Sequence, residues 1–296
     1  MKVVLFGGGG LVGTRFKKLQ KDNFDIESPS VSEVDILEKP ALSKFVQASE
    51  AEVLINFAAI TDVEKSEGES GDKDGICFQV NAIGAKNVAD VCQELNKHLI
   101  HISTEYVFDG MKSESPYTEE DVPNPKNWYG ATKLFGEEFV LESGCKSTIV
   151  RISMPYSPFY ELKSDVVRFF LTQLKKGNAI KAIEDQRVTP TLVDNIANAL
   201  KTLIETNSLG LYHVSSKDSV TSLEFAKTIA EVFHPDYSLI SPISFEQYNQ
   251  NKKAKLLQYS WLNPAKFEKE FGDQILHTIE EDLVIFKQLV DSSVHN

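Results

Sequence analysis

Four side chains in one stretch of this sequence, Ser103, Thr104, Tyr129 and Lys133, have the types and spacing of a proton-transfer site. Residues 99–103 form an apolar run that reads as a buried strand, delivering Ser103 and Thr104 at its carboxyl end. A long polar loop follows, then a helical pattern opening near Lys126. In it Tyr129 and Lys133 lie four residues apart, which puts both on one face. An ammonium beside a phenol favours phenolate, so Lys133 is expected to lower a Tyr129 pKa that would otherwise sit near ~10. The Thr104 hydroxyl, on the neighbouring strand end, is placed to hold a carbonyl oxygen against the phenol. With a nicotinamide across that trio, hydride goes to the carbonyl carbon and the Tyr129 proton to the oxygen. A Tyr-x-x-x-Lys spacing alone is weak, because it recurs on many exposed helices, so other elements must supply the cofactor.

Those elements begin at the amino terminus. Residues 2–6 (KVVLF) are apolar and β-branched, and they end in Gly7-Gly-Gly-Gly10-Leu11-Val12-Gly13. A helical pattern follows, with Leu11, Val12, Phe16 and Leu19 on one side and Arg15, Lys17 and Lys18 on the other. Gly7 permits a tight turn, Gly10 lets the backbone approach a pyrophosphate, and Gly13 lets the helix sit close to the strand, with the helix amino terminus facing the phosphates. The spacing is Gly-x-x-Gly-x-x-Gly, with Gly9 also satisfying G-x-G; strand-loop-helix context makes it a nucleotide site.

A second strand is expected at 24–27. Glu27 and Ser28 at its end, with Arg15 not far off, leave the choice between NADH and NADPH open. Asp35, followed by Ile36, reads equally as a contact to an adenine amino group or as a solvated carboxylate near a helix start. Residues 53–57 form a third strand leading to Ala58, Ala59 and Thr61, small residues that leave room for a ligand. The run 66–75 reads as a surface loop without chemistry, and Asn81 as the opening of an amphipathic helix. Repeated alternation of strand and helix is the pattern of an α/β, doubly wound parallel sheet, a Rossmann fold.

Composition agrees with one large α/β unit or two closely joined domains: 296 residues, 42% hydrophobic. The net charge of −12 argues against nucleic-acid binding by bulk electrostatics. Cys77, Cys92 and Cys145 show no metal spacing and no disulfide framework, so they read as reduced packing residues and no metal is expected. No apolar run approaches ~18 residues, and the amino terminus lacks signal-peptide anatomy, so no membrane span and a cytoplasmic location are expected.

After a strand at 148–153 the pattern loosens into shorter elements. Helices are expected at 165–176 and 193–205, a strand at 211–214, and a capping box at Thr221-Ser-Leu-Glu224 opens another helix. The expected division is residues 1–150 as the cofactor-binding domain, with about 187–215 returning to it, and 151–296 mainly as a smaller substrate lobe. Arg187, Arg168 and Lys252, Lys253 and Lys255 are candidates to clamp a pyrophosphate. Arg187 has the best context, and the lysines read as solvated surface. Trp128 reads either as a stacking surface for a base or sugar or as a hydrophobic cover; His98, His101 and His213 read as packed.

These motifs together resemble an extended short-chain dehydrogenase/reductase, within it the dTDP-4-dehydrorhamnose reductase-like family. The likeness rests on the glycine loop, Asp35-Ile36, Asn56-Phe-Ala-Ala59, Thr61-Asp-Val-Glu-Lys65, Asn81, Ser103-Thr-Glu-Tyr-Val-Phe-Asp-Gly110, Tyr129-Gly-Ala-Thr-Lys133, Arg151 and Gly210-Leu-Tyr-His213. It implies reduction of the 4-keto group of a nucleotide-diphospho-deoxysugar by NADH or NADPH. Thr104, Tyr129 and Lys133 would be the catalytic trio. Gly7, Gly10, Leu11, Val12, Gly13, Asp35, Ile36, Ala58, Ala59, Asn81 and Ser103 would join Tyr129 and Lys133 around the cofactor. Thr61, Glu105, Met154 and Arg187 would face the substrate. A second copy of the chain stands as an open expectation for a partner. The chain departs from the family pattern at Glu105, where an Asp is usual, at Met154-Pro-Tyr-Ser157, where Trp-Val-Tyr-Gly is usual, and at Leu256-Leu-Gln-Tyr-Ser260. Two other readings stay open: a nucleotide-sugar epimerase, and a cofactor-binding regulatory subunit resembling that of methionine adenosyltransferase.

Overall fold

The computed structural model describes residues 1–160, 162–233 and 238–293. In chain order the first half runs β1 (Lys2–Phe6), α1 (Leu11–Gln20), β2 (Asp25–Glu27), α2 (Lys39–Ser49), β3 (Val53–Asn56), α3 (Val63–Glu67), α4 (Ile76–Phe78), α5 (Ala85–Glu94), β4 (His98–Thr104) and α6 (Trp128–Glu142). The second half runs β5 (Lys146–Ile152), β6 (Pro155–Tyr156), α7 (Val166–Lys175), β7 (Ile180–Ile183), β8 (Thr191–Leu192), α8 (Val193–Glu205), β9 (Gly210–Val214), α9 (Ser222–Phe233), β10 (Ile240–Ile243), α10 (Phe245–Asn249), α11 (Ala265–Phe271) and α12 (Ile279–Ser293).

Strands β1, β3, β4 and β5 carry near-continuous apolar runs because helices cover both faces of their sheet. Val3, Leu5, Ile55, Ile100 and Val150 pack on one side with α1 and α8, whereas Val4, Leu54, Leu99 and Ile149 pack on the other with α2 and α5. Among the described residues the sheet is six-stranded, in the order β2-β1-β3-β4-β5-β9, and every pairing in it is parallel. The chain leaves β1 for β2 on one side and returns to β3 on the other, so a crevice opens outside the carboxyl ends of β1 and β3. Residues 193–214 belong to this sheet's layers: α8 packs on α1 through the partly buried Arg15–Asp194 ion pair, at 2.7 and 2.5 Å, and β9 pairs with β5. A separate core forms where α7, α9 and α12 pack over the two-stranded β7-β10 sheet. The Thr221–Glu224 capping box closes reciprocally at 2.7 and 3.0 Å.

Three local expectations are corrected. Residues 66–75 are not wholly a surface loop, because α3 reaches Glu67, capped by Asp62 accepting from the Lys65 amide at 3.0 Å. Asn81 does not open a helix: α4 begins earlier and continues through a π-helical segment, Gln79–Gly84, into α5. The reason is tertiary. The Asn81 side chain accepts from the Ile60 amide at 2.8 Å and donates to Thr132 Oγ1 at 3.0 Å, so the widened turn faces the loop after β3. The helix α6 starts at Trp128, since Asn127 caps it by accepting from the Gly130 amide at 2.9 Å.

Candidate active site

The glycine loop after β1 is shaped by backbone contact. Gly7 has φ +75, and a Cβ there would lie 2.5 Å from the Ala58 amide nitrogen, so only glycine lets the ends of β1 and β3 meet. A Cβ on Gly13 would lie 2.7 Å from Gly8 Cα, so this glycine lets α1 close onto its own loop. Gly10 is different: its backbone is extended and a Cβ would meet only the Gly7 carbonyl, at 3.4 Å. Gly10 caps α1 without a side chain, and no acidic residue occupies the first turn. The amides at this helix start therefore form a cradle of positive potential that fits a pyrophosphate.

A cleft of about 670 Å³ opens over this loop. It is lined by Gly7, Gly10, Leu11, Val12 and Gly13, by Ala58, Ala59 and Thr61 after β3, and by Ser103, Thr104, Glu105, Tyr129, Lys133 and Met154. Strand β4 brings Thr104 to the cleft because its seven residues are all buried and end there. The helix α6 crosses beneath, with Tyr129 and Lys133 both buried. Both line the cleft together with the glycine loop.

The electrostatics differ from expectation. Lys133 does not lower the Tyr129 phenol. Burial pushes that phenol up, and nearby Glu105 pushes it further, with only the Thr104 hydroxyl acting in the opposite direction. Burial also brings the Lys133 ammonium down to about 8, against the pull of Glu137. Lys133 Nζ donates to the Ile102 carbonyl at 2.7 Å. Tyr129 is thus held as a phenol, a proton donor rather than a preformed phenolate.

Glu105 is buried, and its carboxyl is raised to about 7, chiefly by that burial. It accepts from Thr104 Oγ1 at 2.7 Å. The Met154 peptide and the Ser153 hydroxyl, from the turn after β5, face the same carboxyl. Met154 has φ 40, the left-handed region that a non-glycine residue seldom takes, and it lines the cleft there. Two of the departures in sequence, Glu105 and Met154, therefore meet in space.

Other predicted residues lie elsewhere. Arg187 does not line the cleft, because its guanidinium pairs with Glu224 at 3.1 Å and also reaches the Ser219 carbonyl. Arg168 is paired with Asp165 at 2.8 Å. Asp35 accepts from the Leu37 amide at 2.9 Å, and Ile36 is buried in the core, where it touches Gly84; neither lines the cleft. Asn81 acts from behind, holding both the amide and the carbonyl of Ile60. Arg15 is committed to Asp194 and so is not free for a ribose phosphate. Trp128 stacks on Phe78 with centroids 6.0 Å apart, as a hydrophobic cover. The sequence reading missed Tyr160 and Lys163, which line the cleft from an irregular segment with no periodicity to flag it.

Among the described residues no group of three or more His, Cys, Asp or Glu is placed to hold a metal ion, and no helix is long and apolar enough to cross a membrane. The three cysteines are free and buried.

A parallel sheet in this order, with a glycine cradle and a strand-end threonine facing a Tyr-x-x-x-Lys helix, defines a Rossmann protein of the extended short-chain dehydrogenase/reductase type. Residues 1–288 match the family described as RmlD substrate binding domain, and the chain belongs to that family. It is 29% identical over 286 residues to the dTDP-4-dehydrorhamnose reductase of Aggregatibacter actinomycetemcomitans, covering 92% of this chain and 94% of that one. It is 30% identical over 259 residues to the methionine adenosyltransferase 2 subunit beta of Rattus norvegicus, covering 82% of this chain and 75% of that one. Among solved structures, the dTDP-4-dehydrorhamnose reductase of Bacillus anthracis in complex with NADP superimposes with a TM-score of 0.88 at 31% identity, covering 97% and 99% of the two chains.

Proposed function

We propose that this chain reduces the 4-keto group of a nucleotide-diphospho-deoxysugar, of the dTDP-4-dehydrorhamnose type, with NADPH or NADH. The observation that carries the reading is that Thr104, Tyr129 and Lys133 line the same cleft as the glycine cradle. The identity to reductases over most of the chain supports it. Gly7, Gly10, Leu11, Val12 and Gly13 would hold the cofactor's pyrophosphate on the amides of α1. Ala58, Ala59 and Ser103 would flank it, and Lys133 would hold its ribose. When bound, the reduced nicotinamide supplies the hydride. Thr104 Oγ1 orients the substrate carbonyl, and Tyr129 delivers its phenolic proton as the oxygen gains charge. Residues 1–150 and about 187–215 would form the cofactor lobe, and most of 151–296 the substrate lobe.

The test is absorbance of the reduced nicotinamide after adding a dTDP-4-keto-6-deoxysugar, with NADH and NADPH tried separately. Oxidation supports the reductase and chooses the cofactor. A second reading, a cofactor-binding regulatory subunit, is favoured by the likeness to the methionine adenosyltransferase subunit. Under that reading the protein oxidises no cofactor and instead binds a methionine adenosyltransferase catalytic subunit.

A further inference from the structure

Thr104 has one hydroxyl proton, and two acceptors need it. Thr104 Oγ1 lies 2.7 Å from Glu105 Oε2, so an ionised Glu105 takes that proton, while the same oxygen accepts from the Tyr106 amide at 3.3 Å. A Thr104 arranged this way offers a substrate carbonyl oxygen only lone pairs, which repel it. If Glu105 carries a proton, the direction reverses: the carboxyl donates to Thr104 Oγ1, and the threonine proton is free to point into the cleft.

We propose that Glu105 is a positioning residue that must be protonated for Thr104 to donate to the substrate carbonyl, so that catalysis runs through a Glu105-to-Thr104-to-carbonyl chain of hydrogen bonds. The proposal rests on the reductase reading above.

The surroundings fit a neutral carboxyl. Glu105 is 5% exposed, and the groups that face it are uncharged: the phenols of Tyr106 on its own turn and Tyr129 from α6, with the Ser153 hydroxyl and Met154 peptide from the turn after β5. The nearby cation Lys133 is turned to the Ile102 carbonyl and influenced by Glu137. The buried Ser153 hydroxyl and the Met154 peptide favour the charged form of this carboxyl, and burial outweighs them. Proton loss from Glu105 near pH 7 would recapture the Thr104 proton and also place a negative charge beside the phenol that must give one up. No bond other than these hydrogen bonds is made or broken by the switch. The proton on Glu105 is not consumed, because the one delivered to the product comes from Tyr129.

The experiment is the pH dependence of kcat for the wild type, Glu105→Gln and Thr104→Ser. Wild type and Thr104→Ser should lose about tenfold in kcat per pH unit above pH 7, as expected for one ionisation. Glu105→Gln, whose amide donates at every pH, should stay within a few-fold from pH 6 until Lys133 ionises near 8. KM for the sugar should change little in any of them. In parallel, the infrared band of a protonated carboxyl should titrate near pH 7 in the wild type and vanish in Glu105→Gln. An identical alkaline limb in wild type and Glu105→Gln, or a folded, cofactor-binding Glu105→Gln that is inactive throughout, overturns this proposal alone. Absence of turnover in the wild type overturns the reductase reading, and this proposal with it. Should Glu105→Gln fail to fold, the wild-type band decides: a carboxyl already ionised at pH 6 contradicts the proposal.

Discussion

Glu137 on α6 and Arg151 on β5 form a two-pronged ion pair beneath the cleft, with Arg151 Nε and Nη2 donating to the two carboxylate oxygens at 2.9 and 2.6 Å. Both side chains are buried, Ser103 donates to the same carboxylate, and Arg151 also lies over the Phe108 ring. The pair ties α6 to the sheet one turn beyond Lys133. Removing one partner leaves a buried charge uncompensated, so Glu137→Ala should destabilise the chain by about 3–5 kcal/mol in urea unfolding. Replacing both, as Glu137→Leu with Arg151→Met, should recover much of that loss. A double variant as unstable as the single one would show that the pair's charges are not what the single variant exposes.

The glycine loop separates folding from binding. Gly10→Val should leave the fold intact, because its backbone is extended and only the Gly7 carbonyl stands near, yet it should cut cofactor affinity at least tenfold by covering the amide cradle. Gly7→Ala should instead destabilise by roughly 2–4 kcal/mol, since it combines a strained φ with a clash against Ala58. Thermal melts and cofactor titration of the two variants check both statements. Retained binding in a folded Gly10→Val would mean the pyrophosphate does not approach there.

Lys133 makes a pH prediction through its depressed pKa. The native chain gives up this proton near pH 8, whereas the unfolded chain keeps it to about 10.5. Between those values the unfolded state binds more protons, so the lysine's contribution to stability rises with pH. Below pH 8 burial of the ammonium is a full penalty. Lys133→Met should therefore gain on the wild type at pH 7 by on the order of 2 kcal/mol relative to pH 10, while losing turnover. Parallel stability profiles for the two proteins would contradict the buried ammonium.

Legibility in the sequence followed where each signal was local. The sheet was readable because β1, β3, β4 and β5 are buried on both faces, so each carries an apolar stretch, interrupted in β4 by His101 and in β5 by Arg151. The trio was readable because a strand end and a single helix turn position it. The Tyr129 pKa was not, since it depends on burial and on Glu105 more than on the lysine four residues away. Arg187 misled because its ion-pair partner, Glu224, lies 37 residues on and doubles as the capping-box carboxylate. Asn81 was noticed for a motif, but its π-helical setting arises from contacts with Ile60 and Thr132 that no spacing reveals. Tyr160 and Lys163 reach the cleft from irregular backbone, where neither the helical nor the strand period applies.

Tyr129 is the proposed proton donor, in a cleft proposed to hold the cofactor through other residues. The direct measurement is cofactor oxidation by wild type and Tyr129→Phe against a dTDP-4-keto-6-deoxysugar, with cofactor binding titrated on the same samples. Loss of at least a thousandfold in turnover, with the cofactor dissociation constant changed by less than about threefold, is the predicted result. A Tyr129→Phe protein that binds cofactor and turns over at the wild-type rate would contradict it.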